Sequence, residues 1–238
     1  MNFKLFEKKI YVNTHFVTKD IIVPIGSDCH SAHILNALKF RKFSLIFDWL
    51  YTDSRFGIQY VNDNIKTNFE SFLENLTYNQ RNHIISENYP FTEFFHEKEL
   101  ITSIDNQEKL KKRALRFLEI IKNKNVSFLY VINPEHFLDL KDVEKFIKTL
   151  VELNTLTSQK HKIKIFIKFK NNLKSNFVID ALIEQSNNID NVTTVKYHLD
   201  TEKYGQWGNS KDYYRLFKNL NIDIQKSIMP KILLINSK

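Results

Sequence analysis

Apolar runs of strand length alternate with amphipathic helices along most of this chain, and that alternation limits what it can fold into more than any other feature. DIIVPIG at 20–26 is a short apolar run closed by glycine, and CHSAHILNALKF follows it with apolar residues at helical intervals. SFLYVIN at 127–133, KIKIFIKF at 162–169 and NVTTVKYHL at 191–199 read as further strands. In NQEKLKKRALRFLEIIKN, residues 106–123, Leu110, Ala114, Phe117, Leu118 and Ile121 recur at helical spacing, so one face of an amphipathic helix is expected there. DLKDVEKFIKTLVELN, NFVIDALIEQS and DYYRLFKNL read as further helices.

Strands and helices in this order require a mainly parallel sheet joined by helical crossovers. The expected class is α/β: a doubly wound, Rossmann-like or flavodoxin-like sheet with helices on both faces. SLIFDWL at 44–50 is expected as a buried strand or turn, and the aromatic-rich stretch of about 52–104 as an irregular packed insertion with short helical pieces. With 238 residues, no repeat and no linker, a single domain spanning 1–238 is expected.

Composition narrows the partners. One cysteine excludes an intramolecular disulfide and a thiolate-clustered zinc site, and nothing points to a metal. The opening MNFKLFEKKIYVNTHF mixes charges among its apolar positions and forms no signal-peptide core. No run approaches the roughly 20 apolar residues of a membrane span, so a cytoplasmic protein without a membrane span is expected. The net charge of +8 favours an anionic partner such as a nucleotide, a coenzyme or a phosphorylated glycan. HKIKIFIKFK at 161–170 reads as a strand with one wet face, so no nucleic-acid partner is expected.

In a doubly wound sheet, ligands bind beyond the carboxyl ends of the strands. Cys29, His136, Lys170 and His198 all fall there. Gly26, Ser27 and Asp28 lead from the first strand into Cys29 at the start of a helix, where the helix N-terminus lowers a thiol pKa. Backbone N–H groups at the same turn can cradle an oxyanion or a ligand phosphate. The competing structural reading makes Ser27 or Asp28 a plain helix cap and Cys29 a small buried filler. Arg113 and Arg116, three apart on one helix, can reach a single phosphate or carboxylate, or form an exposed basic face. Asp48 lies in an apolar run and must find a partner if buried, either a histidine that it orients or, as a structural bond, a backbone group or Arg41. Trp49 beside it can wall a pocket. Two histidines are rivals as a base: His33, one helical turn after Cys29, and His198, two residues before Asp200. His30, next to Cys29 in sequence, is expected to point elsewhere on the helix.

PIGSDCHSAHILNALKFRKFSLIFDWL resembles the opening signature of the DUF1796 family, bacterial and viral proteins described as papain-like cysteine peptidases. Gly26, Cys29, Ala32, Leu35, Leu38, Arg41, Phe47, Asp48 and Trp49 match that signature in order. Phe94, Phe95 and His96 resemble the family's later Phe-x-His, and Arg113, Arg116 and Phe117 its basic helix. The resemblance covers roughly residues 20–133. It departs from the pattern at Leu45 and Ile46, where a proline is expected, and at Tyr213 and Tyr214, where tryptophan is expected. It implies Cys29 as nucleophile and His96 as its base, with Asp48 orienting the histidine.

The leading expectation is thus a cysteine-dependent acyl-group enzyme, a hydrolase or peptidase by site chemistry, with an oxyanion held by N–H groups around 27–30. The alternative is a transferase binding coenzyme A or a sugar nucleotide in surface polysaccharide biosynthesis. It resembles capsular-polysaccharide O-acyltransferases that carry a Gly-Asn-Cys-like turn after their first strand. A third possibility is a non-catalytic interaction module, favoured if Cys29 is buried with no histidine nearby.

Overall fold

The computed structural model describes residues 2–5, 8–171 and 173–233, with side-chain surroundings described for 16–171 and 173–227. Strands β1 (Asn2–Leu5) and β2 (Lys8–Thr18) open the chain as an antiparallel pair. Next come β3 (Ile21–Pro24) and α1 (His30–Ala37), then β4 (Tyr51–Thr52), α2 (Gly57–Lys66), β5 (Leu76–Tyr78), β6 (Ile84–Ser86) and β7 (Tyr89–Glu93). The rest alternates: α3 (Ile104–Asn123), β8 (Val126–Ile132), α4 (Leu140–Leu156), β9 (Lys162–Lys170), α5 (Phe177–Asn187) and β10 (Val192–Leu199). A short α6 (Thr201–Tyr204), then α7 (Tyr213–Asn219) and β11 (Ile224–Leu233), complete the chain, with β11 pairing back on β2.

The central sheet is parallel and four-stranded, in the order β10-β9-β8-β3. Its strands read as apolar runs because helices cover both faces. Along β8, Phe128, Tyr130 and Ile132 pack with α2, α3, α4 and α5, while Leu129 and Val131 pack with α1 and α7. The helices start where side chains satisfy the first N–H groups. Ser103 accepts from the Asn106 N–H, Asp139 from Lys141 and Asp142, and Asn176 from Ile179. The α/β class, the parallel sheet and the covering of both faces agree with the sequence.

The 52–104 stretch is more regular than expected. It holds α2 and a second, antiparallel sheet in the order β4-β7-β6-β5. Strands of two to five residues are too short to display a period, which is why their pattern is hidden. SLIFDWL is a turn, not a strand. KIKIFIKFK also differs from expectation. Its lysine face is not wet: Lys164 is 4% and Lys168 8% exposed, because α1 and α7 cover that side of the sheet.

The two sheets are joined by a buried polar network around Ser54. Its hydroxyl lies 3.0 Å from that of Ser27 and accepts the Asn133 N–H at 2.9 Å, while its carbonyl accepts the Tyr130 hydroxyl at 2.7 Å. Ser27 in turn donates to the Val131 carbonyl at 2.7 Å, and its own carbonyl accepts the Thr52 N–H at 2.6 Å. Gly57, at the start of α2, sits against the same tyrosine: a Cβ there would collide with the Tyr130 hydroxyl and come within 3.0 Å of its ring. Tyr130 is fully buried and cannot swing away. Gly57→Ala is therefore expected to destabilise the fold by about 1–3 kcal/mol through overpacking, read as a lower midpoint in urea denaturation; an unchanged midpoint would contradict this packing.

Candidate active site

A cleft of about 430 Å³ opens at the carboxyl edge of the parallel sheet. One wall is the turn into α1, with Asp28, Cys29 and His30, together with Lys168 and Lys170 at the end of β9. The facing wall comes from the antiparallel insert, with Trp49, Tyr51, Arg81, Glu93, Phe95 and His96. Gln206 and Trp207, from the loop after α6, complete it.

The turn into α1 is built by glycine and capped by aspartate. Gly26 has φ +96°, a left-handed conformation that costs glycine little. Asp28 Oδ1 accepts the His30 N–H at 2.7 Å, so the cap comes from the residue before Cys29. Its other oxygen pairs with the Lys168 ammonium, reached across two strands of the sheet. Burial works against the Asp28 charge, but Lys168 and then His30 hold the carboxyl below its ordinary range.

Cys29 is half-buried at the N-cap of this helix, just before its first residue, His30. Burial and then the Asp28 carboxylate push its thiol up, outweighing its own N–H and Lys168. The lowered thiol expected of a helix N-terminus is not what the site holds, because the capping carboxylate sits beside the sulfur. At rest the group is a protonated thiol, and a nucleophile here needs a base to take the proton during attack.

His96, on the facing wall, is exposed at the cleft rim and has its ring edge against Trp49 at 5.5 Å and against Phe95 at 5.0 Å. Glu93 is buried and fully engaged: it pairs with Arg81, accepts from Asn79 Nδ2 at 2.6 Å and meets His83 Nδ1 at 2.9 Å. Arg81 lies over the Tyr51 ring at 5.5 Å. That wall is therefore a braced aromatic surface carrying one histidine.

Of the residues singled out in sequence, Asp28, Cys29, Trp49, His96 and Lys170 meet in the cleft. Gly26 and Ser27 stand behind it in the turn and the Ser54 network. Asp48 is fully buried and its Oδ2 binds Arg41 at 2.6 Å and the Leu45 N–H at 3.0 Å, so it braces the turn instead of orienting His96. Burial raises its pKa against those partners. Arg41 also lies over the Trp49 ring at 5.3 Å, the one route from Asp48 to the cleft. Arg113 pairs with Glu97 at 3.1 Å and Arg116 donates to the Ser44 carbonyl at 3.0 Å, both in a groove along α3 and not in the cleft. His33 stacks on Trp207 at 4.1 Å, and exposed His198 stacks on Phe169 at 5.2 Å. His136 is held by the Ser54 N–H at 2.9 Å.

Sequence reasoning missed His30, Lys168, Arg81 and Trp207. His30 was expected to point away from Cys29, yet it lines the same cleft. The lysine alternation in β9 was the available signal for Lys168, since a cation on the covered face of a sheet needs an acid. Comparison with models of known protein families, with curated proteins and with solved structures finds no match.

The Asp28 carboxylate is the removable cause of the raised thiol. Asp28→Asn is expected to lower the Cys29 pKa and to speed its alkylation by iodoacetamide severalfold near neutral pH, with the pH midpoint moved down. A midpoint that stays put would mean that burial alone governs the thiol.

Proposed function

We propose that this protein is a cysteine-dependent acyl-group enzyme, a hydrolase or acyltransferase, with Cys29 as nucleophile and His96 as its base. The observation that carries this reading is that the chain's one cysteine begins a helix in a cleft whose facing wall presents a histidine. In the proposed step, the Cys29 proton passes to His96 as Sγ bonds to the substrate's carbonyl carbon. The oxyanion that forms lies at the N-terminal end of α1, where helix N–H groups favour negative charge. Collapse breaks the bond to the amine, alcohol or thiol leaving group, which takes the proton from His96. Water or an acceptor then attacks the thioester carbonyl as His96 takes its proton, and the C–S bond breaks to release the acid or the acylated acceptor and return that proton to Sγ.

His96 suits this role better than His30. Burial and Lys168 drive His30 to about 3, which makes it too weak a base for a thiol. Trp49 and Phe95 brace the imidazole by ring contact. The resemblance of residues 20–133 to the DUF1796 family supports the same nucleophile and base. The parallel sheet differs from the lobes of papain, so any kinship with papain-like peptidases lies in site chemistry and not in fold. A cytoplasmic location is part of the same proposal and rests on the sequence reading. Separately, no helix among the described residues is long and apolar enough to cross a membrane.

The test is acetylation of Cys29 by p-nitrophenyl acetate, followed by intact mass. Cys29→Ala should abolish it. His96→Ala should slow it by about 10²-fold or more, the usual scale of general base catalysis, while labelling by iodoacetamide at high pH stays unchanged. Equal acetylation rates with and without His96 would sink the pair.

A second reading draws on the cations of the same cleft. Lys168, Lys170 and Arg81, set among Trp49 and Trp207, suit a transferase that holds the phosphates of coenzyme A or a sugar nucleotide. A ligand at 100 times its dissociation constant adds about 2.7 kcal/mol of stability, so such a cofactor is expected to raise the melting temperature measurably. No shift with either class would leave the hydrolase reading alone.

A further inference from the structure

His30 is the most enclosed polar group of the cleft wall. It is 1% exposed yet lines the cleft beside Cys29. Neither ring nitrogen makes a well-formed hydrogen bond among the described residues, although the Trp207 backbone carbonyl stands near enough to favour a proton on the ring. Five rings meet it edge to face: Trp207 at 5.6 Å, Phe166 at 5.8 Å, Tyr197 at 6.2 Å, Tyr213 at 6.3 Å and the His33 imidazole at 6.4 Å. A buried polar group without a partner costs about 1–3 kcal/mol, and folded proteins leave few of them. With the Trp207 carbonyl near one nitrogen, the other is left without a partner at the wall of an open cleft, and the geometry points to a partner that arrives with the ligand.

The chemistry of that partner follows from the charge around the ring. Burial and the neighbouring Lys168 keep His30 neutral at physiological pH. A neutral imidazole presents one N–H donor and one lone-pair acceptor. An amide or a hydroxyl group likewise presents a donor and an acceptor, and it brings no charge into the aromatic enclosure. A carboxylate can only accept, and its desolvation is costly. An ammonium would be repelled by Lys168.

We propose that His30 is a specificity residue, flooring a recess that receives a neutral amide or hydroxyl group adjoining the carbonyl attacked by Cys29 and excludes a charged group there. This rests on the cleft being the substrate site. It assigns the substrate class as an acyl compound with a neutral hydrogen-bonding neighbour, such as an N-acylated or hydroxylated acyl donor, and leaves any anionic part at the cleft mouth beside exposed Lys170.

Protein with isotope-labelled histidine and Cys29→Ser, titrated with acetamide and in parallel with acetate, reads the His30 ring nitrogens without thiol chemistry. The resonances are assigned by their loss in His30→Phe. Acetamide is expected to shift them saturably and acetate to leave them in place. In the Cys29 protein, the ratio of alkylation rates by iodoacetamide and iodoacetate is expected to fall severalfold in His30→Phe and to be kept in His30→Gln, a swap that preserves a neutral donor and acceptor. His30 resonances indifferent to acetamide, or one ratio across all three proteins, would overturn the proposal. Failure of the Cys29 and His96 chemistry shows separately, as acetylation indifferent to His96, and leaves the nitrogen titration to decide the role of His30.

Discussion

Ser54 ties the antiparallel insert to the carboxyl edge of the parallel sheet, and the two walls of the cleft keep their distance because of it. The residue is fully buried, and its hydroxyl, N–H and carbonyl all have partners, drawn from the first β-to-α turn, the end of β8 and the β8 core tyrosine. In a low-dielectric interior such a network is rigid when complete and costly when broken. Ser27 is held on one side and Thr52 on the other. One and two residues beyond Ser27 stand Asp28 and Cys29, and just before Thr52 stand Trp49 and Tyr51. The position of the thiol relative to the aromatic wall is thus set by backbone and hydroxyl contacts outside the cleft.

The thiol itself sits between opposed influences. A helix start favours its anion, while enclosure and a neighbouring carboxylate oppose it, and the opposition prevails. Thiolates are the form that oxidants and metals attack. A thiol that keeps its proton gains protection from both and loses resting reactivity. The Asp28 and Lys168 pair is central here, because the same aspartate that caps α1 also restrains the sulfur.

Much of the architecture was legible in the sequence because buried strands and amphipathic helices leave unambiguous periods. Strand β8 is apolar at nearly every position since both its faces are covered, and α3 shows its inner stripe from Leu110 to Phe117. The insert was not legible, as strands of two to five residues are held by tertiary contact more than by pattern. Within the site, the glycine turn and Cys29 are local and could be read. Lys168 and Trp207 reach the cleft only through strand register and loop packing, which one-dimensional spacing does not encode. Asp48 shows the converse: a carboxylate in an apolar run did need a partner, and the choice fell on Arg41, seven residues away.

The central strands are laid down in one direction, β3, β8, β9 and β10 side by side. Such a sheet has no point where successive crossovers diverge, and so no ready-made crevice of the kind that doubly wound sheets use for ligands. The antiparallel insert supplies the missing wall, and it does so from one contiguous block between Trp49 and His96. Cys29 and the surface facing it therefore have separate structural origins. Changes confined to that block would reshape the surface facing Cys29 while leaving the thiol and its helix in place.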